Sequence, residues 1–449
     1  MTNPRTRRSV SPTEIRSPAL TRRRFLIGGA AGLVGIAAMP SLLASCAGGA
    51  SPSAGGGSFT LGSNLSDAVP KKALQDIIDA FTKETGITAK VNTVDHSTFQ
   101  DQLSSYLQGT PDDVFTWFSG YRMRYFAGQE LATDISDVWT KVAPKFTDAF
   151  KVASTGDDGK QYLIPFVTYA WTVYYRKSLF ADKGYAIPTT LDEFKALAQK
   201  MQTDGLDPIG LGQQDGWPAQ GHFDIINLRE NGYQFHVDLM AGKQKWTDPK
   251  VKQVFTVWKT LLPFYQKGSA GRKWQDAAAG LVQKKTGMML QPQVAETFAA
   301  AGEADFADLD FFPWPNHGTE WDAEKALDAP IDGFMISKNS PNLAADLTAA
   351  KAFLEFTGKG STQAIYVKAN PSLIGTANDV DTSGYTPLQK RQAEVIAGAQ
   401  KLTQFLDRDT DPAFAGKNGM QAFLTDYIQN PDQDLDAFLG KIQGFWDSL

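Results

Sequence analysis

The sequence predicts an α/β protein whose sheets are mainly parallel, are covered by helices and are divided between two or more domains. Two observations lead there. From Phe59 onward, short apolar runs of strand period alternate with amphipathic runs of helical period, the order expected of crossover-connected strands. About 400 residues follow residue 57, enough for more than one core, and the composition of 42% hydrophobic, 11% aromatic and 21% charged residues is that of an ordinary soluble chain.

Residues 1–45 hold seven arginines against one acid, Glu14, and an apolar Gly/Ala-rich segment, Ile27 to Leu43, follows the Arg22–Arg23–Arg24 cluster. This is the layout of a secretory signal. "TRRRFL" resembles the twin-arginine (Tat) export pattern, with Arg22 and Arg23 as the pair, while the Sec route stays open because Ile27 stands where a lysine is common. "LASC" resembles a bacterial lipobox, which implies that Cys46, the only cysteine, is lipidated and becomes the new N-terminus. Residues 1–45 are thus expected to be a signal peptide and residues 46–57 a flexible Gly/Ser/Ala linker behind the lipid. The expected location is the extracytoplasmic face of a bacterial cell membrane, with the lipid as the only membrane contact.

"SFTLGSN" is a strand, and "PKKALQDIIDAFTKETG" a helix with Leu74, Ile77, Ile78 and Phe81 on one face and Gly86 as its stop. "ITAKVNTVD", "STFQDQLSSYLQG" and "DDVFTWF" continue as strand, helix and strand. "GKQYLIPFVTYAWTVYYRKSLFADKG" gives two extended runs and a short helix. "IPTTLDEFKALAQKM" starts a helix with Thr190 and Glu193 in capping-box spacing. Two further helices follow, one with Pro249 near its start and one with Gly358 and Gly360 beyond its end.

Charge and motif content exclude several functions. Behind the leader, 37 basic residues face 48 acidic ones, which argues against nucleic acid. One cysteine excludes a disulfide framework and a CxxC zinc site. GxSxG, GxxxxGK[ST] and HExxH are absent, and His96, His222, His236 and His317 are scattered without forming a ligand cluster. No enzyme activity, metal or cofactor is expected.

"PDDVFTWFSGYRMRYFAGQELATDIS", "DGKQYLIPFVTYAWTVYYRKSLF", "IPTTLDEFKALAQKM", "KKTGMMLQPQ", "PIDGFMISKNSPNLAADLTAAKAFLEF" and "STQAIYVKANPSLIG" resemble successive landmarks of the extracellular solute-binding proteins of carbohydrate ABC transporters, the group that includes maltose-binding protein. The resemblance runs from about residue 58 to the C-terminus. It implies a periplasmic-binding-protein-like fold, two α/β lobes joined by a hinge with a ligand cleft between them. Crossings are implied near Pro165 to Thr168, near Ala329 to Gly333, and after Ile374. Residues 58–166 plus 329–376 would form lobe 1, and residues 167–328 plus 377–449 lobe 2. The implied function is capture of a sugar, an oligosaccharide, by a monomer that delivers it to the permease subunits of an importer.

A sugar site needs aromatic platforms for C–H faces and planar polar groups for hydroxyls. Carrying the family pattern onto this chain nominates Asn64 (beside Ser63), Asp95 (beside His96), Trp117, Tyr121, Tyr169, Trp171, Asp215 (beside Gln214), Trp217, Gln291, Gln293, Asp332 and Arg408. Each has a plainer alternative: turn or capping roles for Asn64 and Asp95, core packing for Trp117, Tyr169 and Trp171, satisfied buried amides for Gln291 and Gln293. The "DRDTD" cluster, Asp407 to Asp411, reads as ligand contact, solvated ion pairs or a calcium loop. Tyr174 and Tyr175 leave open a binding protein for an iron complex, with polyamines and peptides as other solutes. A secreted glycoside hydrolase is a more distant alternative.

Overall fold

The computed structural model describes residues 57–449. The signal peptide, Arg22, Arg23, Cys46 and all but the last residue of the linker lie outside the described residues. No helix among the described residues is long and apolar enough to cross a membrane.

Twelve strands form three sheets. In chain order they are β1 (Ser58–Ser63), β2 (Thr88–Thr93), β3 (Val114–Phe118), β4 (Ile164–Thr168), β5 (Val173–Arg176), β6 (Asp207–Ile209), β7 (Thr286–Leu290), β8 (Leu309–Phe312), β9 (Leu327–Asp328), β10 (Ile331–Ile336), β11 (Ile374–Gly375) and β12 (Leu402–Thr403). One sheet has six strands in the order β11-β4-β10-β3-β1-β2, a second has four in the order β6-β7-β5-β8, and β12 pairs with β9. The opening βαβαβ unit is as the sequence predicts, with β1 parallel to both β2 and β3. The expectation of mainly parallel sheets needs correction. β10 is antiparallel to β3 and β4, β11 to β4, and β5 to β7 and β8. β7, β8 and β11 each follow a helix, so a preceding helix does not by itself fix the direction in which a strand joins its neighbour.

Local chemistry explains the helices around the first sheet. Helix Ala68–Thr85 buries Leu74, Ile77, Ile78 and Phe81 and ends at Gly86, whose φ of 73° is the left-handed conformation that glycine adopts most easily. Phe81 meets Phe59 and Phe353 edge-on, at centroid distances of 6.1 and 5.3 Å. Burying a ring of this size contributes about 1.5–3 kcal/mol. The Thr190–Glu193 capping box forms as its spacing predicts.

Candidate functional site

The ends of β1 and β3, the segment after β4, and β10 deliver side chains to one cavity of about 160 Å³. Residues on the far side come from the turn before Trp217, the start of helix Trp274–Val282 and the start of helix Val294–Ala301. The cavity therefore lies between the six-stranded and the four-stranded sheet. Asp67, after β1, accepts a hydrogen bond of 3.1 Å from Gln275 Nε2 on the opposite side.

Eight of the twelve nominated residues line this cavity: Asn64, Asp95, Trp117, Tyr169, Asp215, Trp217, Gln293 and Asp332. Asn64 is fixed by Thr116, whose hydroxyl accepts from the Asn64 N–H at 3.0 Å and donates to its Oδ1 at 2.8 Å. Its Nδ2 is buried and has no hydrogen-bond partner. Such a donor is costly to leave unpaired, so it is poised for an acceptor on a bound molecule. Asp95 also caps helix His96–Gln108, accepting from Thr98 N at 3.0 Å; that bond holds its carboxyl below the usual range. The capping and cavity-lining readings of Asp95 thus coexist.

Trp217 is placed by a tight turn. Gly216 adopts φ 81°, and the Gln213 side chain donates to the Gly216 carbonyl and accepts from Ala219 N at 2.8 Å. The indole is backed edge-on by Trp171, with centroids 6.2 Å apart. Trp171 in turn packs on Phe405 and lies behind the cavity rather than in it.

Asp332 and Arg408 come together. The Arg408 guanidinium pairs with the Asp332 carboxylate and stacks 3.7 Å above the Phe118 ring, so it fixes Asp332 from behind and does not itself line the cavity. Burial raises the Asp332 pKa against the opposing pull of Arg408. Gln291 is likewise one layer back, donating at 2.9 Å to Gln293 Oε1. Tyr121 lies outside, stacked on Tyr125. Tyr174 and Tyr175 also lie outside the cavity, on β5, with the Tyr175 hydroxyl turned to Asp310.

The "DRDTD" cluster is not a set of solvated ion pairs. Asp407 accepts from buried Arg122 at 3.3 Å, Arg408 serves Asp332, Asp409 accepts from Tyr121 N at 3.3 Å, and Asp411 caps helix Pro412–Ala415. The expectation for the histidines also changes. His236 is brought beside Asp224 and Asp328, because the fold joins residues that are remote in sequence.

Several lining residues lack a local signal in the sequence. Asp67, Lys273, Trp274, Glu296 and Asn370 sit at helix starts, in helices or in an irregular turn. Glu296 accepts from Asn370 Nδ2 at 3.1 Å, and burial pushes its carboxyl up to about 8. Burial also holds the His96 imidazole below its usual value, with Arg408 adding to the effect.

The lining thus combines aromatic faces (among them Trp217, Trp274, Tyr169 and Phe118) with five carboxyl groups (Asp67, Asp95, Asp215, Glu296, Asp332) and four amides, Asn64, Gln275, Gln293 and Asn370. Lys273 is the one lysine. Such a surface accepts hydroxyl donors, offers flat apolar platforms and repels anions.

The sequence pattern described as bacterial extracellular solute-binding protein matches residues 66–358. An ABC transporter extracellular-binding protein of Pyrococcus horikoshii is 28% identical over 302 residues, which are 66% of this chain and 65% of that relative, just under two thirds of its length. The alpha-glucosides-binding periplasmic protein AglE of Rhizobium meliloti is 25% identical over 82% of both chains. Among solved structures, the bacterial solute receptor AcbH, described by an exclusive preference for β-D-galactopyranose, is 42% identical over 88% of this chain and 99% of its own, with a TM-score of 0.83. A chitin oligosaccharide binding protein, 21% identical over 88% of this chain and 98% of its own, shares the fold with a TM-score of 0.77.

Proposed function

Because the chain belongs to the bacterial extracellular solute-binding proteins, we propose that it captures a neutral sugar between its two α/β lobes and delivers it to an ABC importer. One observation carries the reading: aromatic platforms and hydrogen-bonding groups from both sheets converge on a single cavity. A ligand that touches both sides favours the closed arrangement, and only such differential contact can drive closure. Trp217 supplies a stacking face, and Asn64, Gln293, Asp332 and Glu296 the hydroxyl partners. The acidic lining selects against uronic acids and sugar phosphates.

The cavity mouth shares Ser97, Asp215 and Trp217 with an outer depression of about 530 Å³ that also includes Gln214 and Lys417. One ring fills the inner cavity, and an oligosaccharide would continue into this depression. β4, β10 and β11 lie side by side, with Thr168 opposite both Ile331 and Ile374. This supports a hinge at Pro165 to Thr168, Ala329 to Gly333 and just after Ile374, and with it lobes of residues 58–166 plus 329–376 and residues 167–328 plus 377–449. The protein acts as a binding protein rather than an enzyme, as a monomer tethered through lipidated Cys46 after export by the Tat or Sec route.

Calorimetric titration with β-D-galactopyranose, other neutral monosaccharides and neutral oligosaccharides tests the reading, with glucuronate and spermidine as charged controls. Heat and a tryptophan fluorescence change with a neutral sugar, and none with glucuronate, are expected. A response to spermidine alone would favour the polyamine reading, which the five carboxyl groups also suit. Silence across all neutral sugars would count against sugar capture.

A further inference from the structure

We propose that Asp224, His236 and Asp328 bind one divalent transition-metal cation, zinc being the probe, at a buried site outside the sugar cavity. The three side chains are fully buried, and their ligand atoms all lie within 4.8 Å of one another. Among the described residues no other group of His, Cys, Asp and Glu is gathered in this way.

The backbone shapes the site. Asp224 and His236 belong to the segment Pro218–Met240, where twelve residues of straight helix would separate them by about 18 Å. At Gly232 the helix is broken, with φ 79° and ψ 169°, and the chain turns so that His236 comes back to Asp224, its Nδ1 3.8 Å from Asp224 Oδ1. Only glycine fits, since a Cβ there would collide with the Trp321 ring. Asp328 enters from β9, which is held in place by its pairing with β12.

Both oxygens of Asp328, and Oδ1 of Asp224, are buried without a hydrogen-bond partner. Two other aspartates are each met by an arginine, Asp407 by Arg122 and Asp332 by Arg408. Here the Arg229 guanidinium is turned to the Ala326 carbonyl at 2.8 Å, and Asp409 adds further negative charge beside the pair. Protons alone are a poor answer. One proton shared between Asp224 and Asp328 would answer two of the three free oxygens and leave the third unpaired. One cation satisfies all the free oxygens together.

The mixed donor set of imidazole and carboxylate suits zinc or manganese better than calcium or magnesium. Ligation through Nδ1, the ring nitrogen nearer Asp224, requires that its hydrogen bond from Asn227 Nδ2 be given up to the ion. Asp328 accepts from Trp171 N at 3.0 Å through its backbone carbonyl, so the ion would tie helix Pro218–Met240 to the strand leading into the second crossing.

The test is elemental analysis of the purified protein, followed by EDTA treatment and reloading with Zn²⁺ alone while the thermal midpoint is followed. About one equivalent of metal, either retained or reloaded, and a midpoint raised on reloading are expected. Asp328→Asn should abolish uptake, and the milder His236→Gln should weaken it by about tenfold or more. Where Asp328→Asn fails to fold, the wild-type stoichiometry and His236→Gln still decide. Wild-type protein that stays folded yet holds less than about one-tenth of an equivalent before and after reloading would overturn the site. Uptake unchanged in the variants would do the same.

Discussion

Trp217 carries its role in its immediate neighbours. An indole between Gly216 and Pro218 on a polar loop is costly to expose, and the fold indeed turns it into the cavity mouth and backs it with Trp171. Trp217→Ala should weaken sugar affinity by about 1–3 kcal/mol, the scale of an aromatic contact. Calorimetry checks it, and unchanged affinity would remove the ring from the site. Trp171 is harder to place from sequence. Alternation puts it on the same side as Tyr169, but β4 ends at Thr168 and β5 begins at Val173, so the residues between are not strand and the period of two does not apply.

Glu296 is illegible in sequence because a helical glutamate has no local mark of burial. Its carboxyl titrates near 8 when folded against an ordinary value of 4.5. The folded chain therefore holds an extra proton between these values, so this group makes stability fall as pH rises from about 4.5 to 8, with no further change above. Glu296→Gln should flatten that part of the profile. Urea midpoints of both proteins at pH 5 and pH 8 measure it, and an identical slope in the two would refute the assignment.

Elements are the most readable level. Helix Ala68–Thr85, the capping box at Thr190 and the stop at Gly358 follow from periodicity and capping chemistry, which act within a few residues. Strand direction is not readable, because it depends on where the chain returns from. Gly333 illustrates what that return demands. It sits on β10 against β4, where a Cβ would collide with the Ile164 carbonyl oxygen. Gly333→Ala should push the strands apart and cost about 1–3 kcal/mol, as overpacking does. Denaturant unfolding tests this, and wild-type stability would show that the strands yield without strain.

For the whole molecule, the order of landmarks is legible although the site's membership is only partly so. Of the eight nominated residues in the cavity, Asn64, Trp117, Tyr169 and Asp332 sit on or just beyond β1, β3, β4 and β10, whereas Asp95, Asp215, Trp217 and Gln293 come from turns and helix starts. Arg408 and Gln291 hold lining residues from one layer behind, a relation that spacing cannot express. Cellular placement rests on the leader. Cys46→Ala should leave folding and sugar binding intact and release the protein into the medium; cell fractionation checks it, and full retention at the membrane would contradict the lipid anchor.

The central claim is that a sugar is held between the two sheets by groups from both. A crystal structure of the complex with the tightest-binding neutral sugar tests it most directly. A ring stacked on Trp217 is expected, with hydroxyls bonded to Asn64 and Asp332 on one side and Gln293 or Glu296 on the other. A sugar bound elsewhere on the surface, or touching only one side of the cavity, would contradict it.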